Sequence, residues 1–239
     1  IPCPEHEASR HHFPKEVLYD DFLESGDPGD SWSLPESEWE AYGLNYTSGT
    51  GGTPKGVVIH HRGAYLMAMG TEPAWGVPQH PVYLYTVPMF HCNGWGHAWL
   101  NALVAGSIIC VKKISAKIIF DAISEYRVTH FGGAPVVLGL LINAPEIDQK
   151  TFKHSVQVMT AGAPPPPAVL EKVEKLGMEI MQVYGLTETF GHIMHCAWNT
   201  DWDDLDFGEQ AAIKARQGVQ FTHTEETEVL GLADNQPVP

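Results

Sequence analysis

Tyr46 to Gly56 read Tyr-Thr-Ser-Gly-Thr-Gly-Gly-Thr-Pro-Lys-Gly, which crowds hydroxyls, glycines and one lysine between two apolar runs. Gly49, Gly51 and Gly52 let the backbone turn tightly and bring its N–H groups close to a ligand. Thr47, Ser48, Thr50 and Thr53 add hydroxyl donors, and Lys55 adds a mobile positive charge. That combination suits a polyphosphate. A plain surface turn would need one or two glycines, not this density of donors with a lysine behind Pro54. The string is not a Walker A loop, which ends in Gly-Lys-Ser/Thr. Here Pro54 precedes Lys55 and Gly56 follows it, so no hydroxyl stands beside the lysine to hold magnesium.

A second cluster, Gln182 to Gly191, reads Gln-Val-Tyr-Gly-Leu-Thr-Glu-Thr-Phe-Gly after an apolar strand. Tyr184 and Gly185, followed by Thr187 and Glu188, place an aromatic face, a hydroxyl and a carboxylate at one strand tip. Such a set can stack a base, bind a phosphate oxygen and ligate Mg²⁺; a strand-to-loop turn with a buried tyrosine is the other reading. Three further turns carry small or polar residues. Thr160 to Pro164, with Gly162 and Ala163, would let the main chain approach a flat ring or simply pack tightly. Pro88 to Trp95 contains His91, Asn93, Gly94 and Trp95, a histidine between aromatics that could also be a satisfied core residue. Phe131 to Pro135 contains Gly132 and Gly133.

Short β-type runs alternate with helical patterns. Strands are expected at 44–47, 56–60, 82–87, 107–111, 128–131, 156–160 and 178–184. Ala116 to Tyr126 is expected to be a helix capped by Ser115, with Ile118, Ile119, Ala122, Ile123 and Tyr126 in one apolar stripe. A second runs from about Pro167 to Leu176, started by proline and closed by Gly177. The alternation implies an α/β fold with largely parallel sheets covered by helices. Ligands of such sheets sit at carboxyl ends of strands, where the glycine-rich loop is expected to follow 44–47. Residues 1–40, Pro- and acid-rich with one short helix from about Glu16 to Glu24, are expected to wrap the surface of a domain spanning 41–239.

Composition narrows the partners. Apolar residues make up 44% and charged residues 18%, as in a globular chain. Fourteen basic against 29 acidic residues, net −15, argue against nucleic acid or an anionic membrane. The acidic runs at 16–40 and 201–209 read as solvated surface. Cys3, Cys92, Cys110 and Cys196 lack metal-type or redox-type spacing and read as reduced thiols of a cytoplasmic protein. The pairs His11-His12 and His60-His61 would point apart on a strand and lack a third metal ligand. No run is long and apolar enough to insert in a membrane. Both ends look like cuts through a longer chain.

Taken together, these strings resemble the signatures of the adenylate-forming superfamily, which includes acyl- and aryl-CoA synthetases, luciferases and peptide-synthetase adenylation domains. The family loop is usually Thr-Ser-Gly-Thr-Thr-Gly-x-Pro-Lys-Gly; Gly51 stands where a second threonine is usual. Tyr184 to Glu188 match its second signature. Ile59-His60-His61-Arg62-Gly63, Met89 to Trp95 and Ala215 to Val219 resemble the branch of medium-chain fatty acid and methylmercaptopropionate CoA ligases, enzymes of fatty-acid metabolism.

The resemblance implies the central part of the large domain of such an enzyme, with ATP, Mg²⁺ and CoA as cofactor and co-substrates and a small carboxylic acid as substrate. Tyr184 would lie against adenine, Thr187 would contact the α-phosphate, and Glu188 would hold Mg²⁺ with Thr47. The loop from Thr47 to Lys55 would bind the polyphosphate. Gly162 and Ala163 would line the adenine and acyl pockets, and His91 would meet the phosphate or carboxylate. Asn93, Gly94 and Trp95 would border the acid, and Gly132 and Gly133 would leave room for substrate or the pantetheine arm. The family's ribose-binding aspartate, hinge and small C-terminal domain with its adenylation lysine fall beyond the position matching Pro239. The chain as given is therefore expected to bind nucleotide weakly and not to turn over. A non-catalytic nucleotide- or acyl-binding paralogue, or an adenylate-forming enzyme with another acceptor, stays open, as does a homodimer.

Overall fold

The computed structural model describes residues 18–31, 33–47 and 53–238. The chain divides at Glu36/Ser37 into two units. In the smaller, helix α1 (Tyr19–Glu24) buries no residue and carries Asp20 and Asp21 in its first turn, where the helix dipole favours negative charge.

In the larger unit the elements run β1 (Ala41–Thr47), β2 (Lys55–His60), α2 (His61–Trp75), β3 (Val82–Tyr85), a tight turn α3 (Cys92–Trp95), α4 (His97–Leu103), β4 (Ser107–Cys110) and α5 (Ala116–Tyr126). There follow β5 (His130–Gly132), α6 (Pro135–Ile142), β6 (Gln157–Thr160), α7 (Pro167–Lys175), β7 (Glu179–Leu186), β8 (Gly191–His195), α8 (Phe207–Lys214) and β9 (Val219–Gln220).

Seven strands form one sheet in the order β4-β3-β5-β6-β7-β8-β9. The first five are mutually parallel, and β8 and β9 add antiparallel to one edge. Side-chain alternation along the strands feeds two cores. Leu84, Phe131, Val158 and Ile180 point to one face and pack with Ile119, Phe120, Leu138 and Leu170 of α5, α6 and α7. Tyr83, Tyr85, Met159 and Met181 point to the other and pack with Met67, Trp75 and Leu100 of α2 and α4. Burial on both faces gives the central strands a largely apolar composition, broken by buried polar residues such as His130, Thr160 and Gln182.

The helix ends follow local chemistry. Ser115 Oγ accepts from Ile118 N–H at 3.3 Å to start α5, and Arg127 ends it at φ 55°. The acidic run 201–209 is more than solvated surface. Asp206 Oδ1 accepts from Glu209 N–H at 2.9 Å, and Glu209 Oε2 accepts from Asp206 N–H at 3.3 Å, so the two carboxylates cap α8. His60 and His61 do not lie on a strand together: His60 ends β2 and its Nδ1 accepts from Gly63 N–H at 3.0 Å, capping α2.

One expectation is corrected. The segment before the glycine-rich loop is no member of the parallel sheet. β1 and β2 form a separate antiparallel hairpin, with Thr47 paired to Lys55 at its tip. The loop is thus a hairpin connection, and an antiparallel pair needs no crossover helix.

Candidate functional site

The carboxyl ends of β6 and β7 and the tip of the hairpin open on one cavity of about 610 Å³. Thr47, Lys55, His91, Trp95, Gly162, Gly185, Thr187 and Glu188 of the sequence-derived set line it. Tyr46, Cys92, Ala161, Val183, Leu186, Gly191 and His192 also line it. Thr53, Asn93, Gly94, Ala163 and Tyr184 stand beside the cavity rather than in its walls, Tyr184 with 40% of its surface exposed. Gly132 and Gly133 are buried away from it. A Cβ on Gly132 would come within 2.8 Å of Val87 Cγ2, and one on Gly133 within 3.1 Å of Val137, so these glycines serve packing there. Ser48, Gly49, Thr50, Gly51 and Gly52 lie outside the described residues.

The polar end is set by two stems. Thr47 and Lys55 are opposite one another at the close of the hairpin. Thr47 Oγ1 is buried and has no hydrogen-bond partner among the described residues. A buried hydroxyl left unpaired costs free energy, so it calls for a ligand oxygen or ion. Glu188 faces the same cavity, and its carboxylate with the Thr47 hydroxyl makes a pair of hard oxygen donors that fits Mg²⁺. Lys55 places a positive charge at the same cavity.

The strand tip beneath is built tightly. β7 pairs in parallel with β6 up to Gln182 and antiparallel with β8 from Val183, with an irregularity at Tyr184/Gly185. A Cβ on Gly185 would collide with the backbone of Gly191 and come within 2.6 Å of His192 Cα, which dictates glycine at this point of the motif. Thr189 then locks the turn: its Oγ1 accepts from Leu186 N–H at 2.9 Å and lies 2.7 Å from Gly191 O. Thr189 is not among the residues expected from the sequence; the available signal was a threonine at a strand end, whose hydroxyl can bond nearby backbone and close a turn.

Opposite stands a turn with a rare backbone. Cys92, Asn93, Gly94, Trp95 and Gly96 have φ of 43°, 45°, 64°, 58° and 71°, a left-handed turn of five consecutive residues. The left-handed region costs a residue with a Cβ roughly 1–2 kcal/mol, so the surroundings must hold this segment. Asn45 Nδ2 of β1 donates to Asn93 Oδ1 at 2.6 Å, tying the turn to the hairpin. Tyr85 O–H donates to Gly94 O at 3.2 Å, and Cys92 Sγ reaches Leu186 O at 3.9 Å. Burial, and then the nearby Glu188 carboxylate, push the Cys92 thiol up to about 11, so it stays protonated.

Behind the cavity floor lies a layer of buried histidines. Thr71 Oγ1 donates to Met67 O at 2.6 Å and lies 2.7 Å from His192 Nε2. His97 bonds the Tyr83 hydroxyl through Nδ1, while its Nε2 is buried without a partner among the described residues. Trp75 packs against both His97 and His130, at 5.2 and 4.9 Å between ring centres. Burial, with His130 nearby, lowers His97 to about 3; burial lowers His130 to about 4. Burial first, then His97, His223 and His195, hold His192 well below the usual histidine range. No group of three or more histidine, cysteine or carboxylate side chains among the described residues is arranged to hold a metal ion.

A family model described as "AMP-binding enzyme" matches residues 5–239. The chain belongs to the AMP-binding enzyme family. Several proteins similar to it carry the names of CoA ligases. It is 47% identical over 224 residues to an Arabidopsis thaliana protein named acetate/butyrate–CoA ligase AAE7, peroxisomal, covering 93% of this chain and 39% of that protein. It is 51% identical over 201 residues to a Humulus lupulus protein named 2-methylpropanoate–CoA ligase CCL4, covering 84% of this chain and 36% of that one. Among solved structures it matches the inhibitor-bound N-terminal domain of FACL13 from Mycobacterium tuberculosis with a TM-score of 0.68 at 26% identity, over 74% of this chain and 44% of that chain. The chain thus spans about two fifths of the length of these curated relatives. No described helix is long and apolar enough to cross a membrane.

Proposed function

We propose that this segment forms the nucleotide- and acid-binding core of an acid–CoA ligase. In the reading we adopt, the polypeptide containing it uses ATP and Mg²⁺ to activate a small carboxylic acid and then passes the acyl group to CoA. The carrying observation is that Thr47 and Lys55 of the hairpin face Thr187 and Glu188 of the β7 tip across one cavity. These segments are far apart in sequence and share no core element. The names of the relatives, with acetate, butyrate and 2-methylpropanoate, support an acid of few carbons.

The chemistry follows from the groups present. The acid's carboxylate attacks the α-phosphate of ATP and pyrophosphate leaves; the CoA thiol then displaces AMP from the acyl-adenylate. No protein nucleophile is required, and Cys92, held protonated, does not offer one. Lys55 neutralises phosphate charge, and Thr187 donates to a phosphate oxygen. Thr47 Oγ1 and Glu188 would hold Mg²⁺, whose charge offsets that of the phosphates when bound. Tyr184, exposed beside the cavity, would stack the base, with Gly162 and Ala163 leaving room for it. His91 would meet the carboxylate, while Trp95 and Val183 keep the opposite end apolar and dry. Rate then comes from positioning and electrostatic stabilisation.

The test is ATP–pyrophosphate exchange by the full polypeptide with short and medium-chain acids, followed by thioester formation with CoA. Exchange that depends on an acid and on Mg²⁺, followed by CoA thioester, is the expected result. ATP binding without exchange for every acid would favour a non-catalytic binding protein, and exchange without thioester would favour a different acceptor. We place the protein in a thiol-reducing compartment, the cytoplasm in the sequence reading; imaging a tagged full polypeptide separates that from the peroxisome named for the Arabidopsis relative.

A further inference from the structure

We propose that Met67 sets how deep the apolar end of the cavity can be, and with it the length of acid that is activated. This inference rests on the acid-activation reading above. Met67 lies on α2, is 4% exposed, and is not itself a cavity wall. It stands behind the wall. The two residues it abuts on the cavity side are glycines in left-handed or Gly-restricted backbone: Gly96, φ 71°, next to the wall residue Trp95, and Gly191, φ 120°, itself a wall residue next to His192. Cβ atoms built on them would strike Met67 directly, its Cε from Gly96 and its Sδ, at 2.5 Å, from Gly191.

The thioether is therefore wedged between two side-chain-free positions, one on each of the segments that bear cavity walls. At Gly191 only a glycine, with no side chain of its own, stands between the thioether and the cavity. An unbranched, polarizable side chain is well suited to fill such an irregular gap. Met67 belongs to the same apolar cluster as the wall residues Trp95 and Val183, so the space it occupies adjoins the dry end of the site. Shortening it to alanine removes Cγ, Sδ and Cε and leaves a hollow directly under the floor, because cores relax only in part after truncation.

The consequence is a change in acid preference rather than a loss of chemistry. In apolar pockets a methylene is worth roughly 10- to 200-fold in kcat/KM. In the full polypeptide, ATP–pyrophosphate exchange is measured for straight-chain acids from acetate to octanoate. M67A is expected to raise kcat/KM for hexanoate relative to butyrate by about 10-fold or more. M67L, of similar volume, should stay within about threefold of the wild-type ladder. Should M67A lose its near-ultraviolet circular dichroism, M67V, a milder truncation, carries the test with a smaller shift in the same direction. A folded truncation whose acid ladder coincides with wild type overturns the role of Met67 while leaving the acid-activation reading intact. A wild-type protein that exchanges with no acid overturns both.

Discussion

Lowering the pH from 7 to 5 should remove a large part of this domain's stability through His97 and His130 alone. In the folded chain they sit near 3 and 4, because burial penalises the charged ring; in the unfolded chain each titrates near about 6.5. At pH 7 neither state binds much of this proton. Below 6.5 the unfolded chain takes it up and the folded chain does not, so stability falls with pH until the folded values are reached. Between pH 7 and 5 each histidine contributes a loss of roughly 2 kcal/mol, about 4 kcal/mol for the pair. His192, also lowered, acts in the same direction. Typical domains have about 5–15 kcal/mol in total. Urea unfolding at half-unit pH steps, followed by tryptophan fluorescence, measures the slope. Replacing both with glutamine, H97Q/H130Q, should flatten it by roughly 2.5 kcal/mol per pH unit between pH 4.5 and 6; H130Q alone should remove about half. The many carboxylates contribute equally to both proteins and cancel in the difference. Equal slopes in wild type and variants would refute the argument that these two rings are kept neutral by burial.

Three further outcomes follow from the site. Lys55→Ala should raise the KM for ATP, with kcat/KM falling about 10- to 100-fold, the worth of a charge-assisted contact; steady-state kinetics at saturating acid reads it. Gly185→Ala should cost more than about 2 kcal/mol or prevent folding, because its methyl would meet the backbone of Gly191 and His192; thermal melting checks it. Native-state alkylation at pH 8 should label Cys110, which is exposed, and spare Cys92, whose thiol is buried and pushed to about 11; peptide mapping by mass spectrometry separates the two, and rapid labelling of Cys92 would contradict its placement.

Much of the sheet was legible because buried strands leave short apolar stretches, as at Val82–Tyr85 and at Val158 and Met159 of β6. Ser115 and Gly177 marked helix ends through cap chemistry that acts within a few residues. The hairpin was misplaced for a physical reason. β1 carries Tyr46, Leu44 and Tyr42 on a half-exposed ribbon, and a short apolar run does not say whether its partner is parallel or antiparallel. α8 was hidden among acidic residues because Asp206 and Glu209 act by capping, not by apolar periodicity. At the site, residues that carry formal chemistry, such as Lys55, His91, Thr187 and Glu188, were visible from their types. Thr189, Gly191, His192 and Met67 were not, since their roles depend on backbone geometry and on contacts between segments distant in sequence. Gly132 and Gly133 show the converse, glycines whose reason is close packing against Val87 and Val137.

The five-residue turn from Cys92 to Gly96 is in effect a fragment of helix wound in mirror image. Ordinary rules of substitution invert there. A D-alanine introduced by chemical ligation at Gly94 or Gly96 would match the backbone that an L-alanine strains, and its methyl would leave on the side away from Tyr85 or Met67. Handedness, rather than size or polarity, is the currency in which this wall of the cavity was specified.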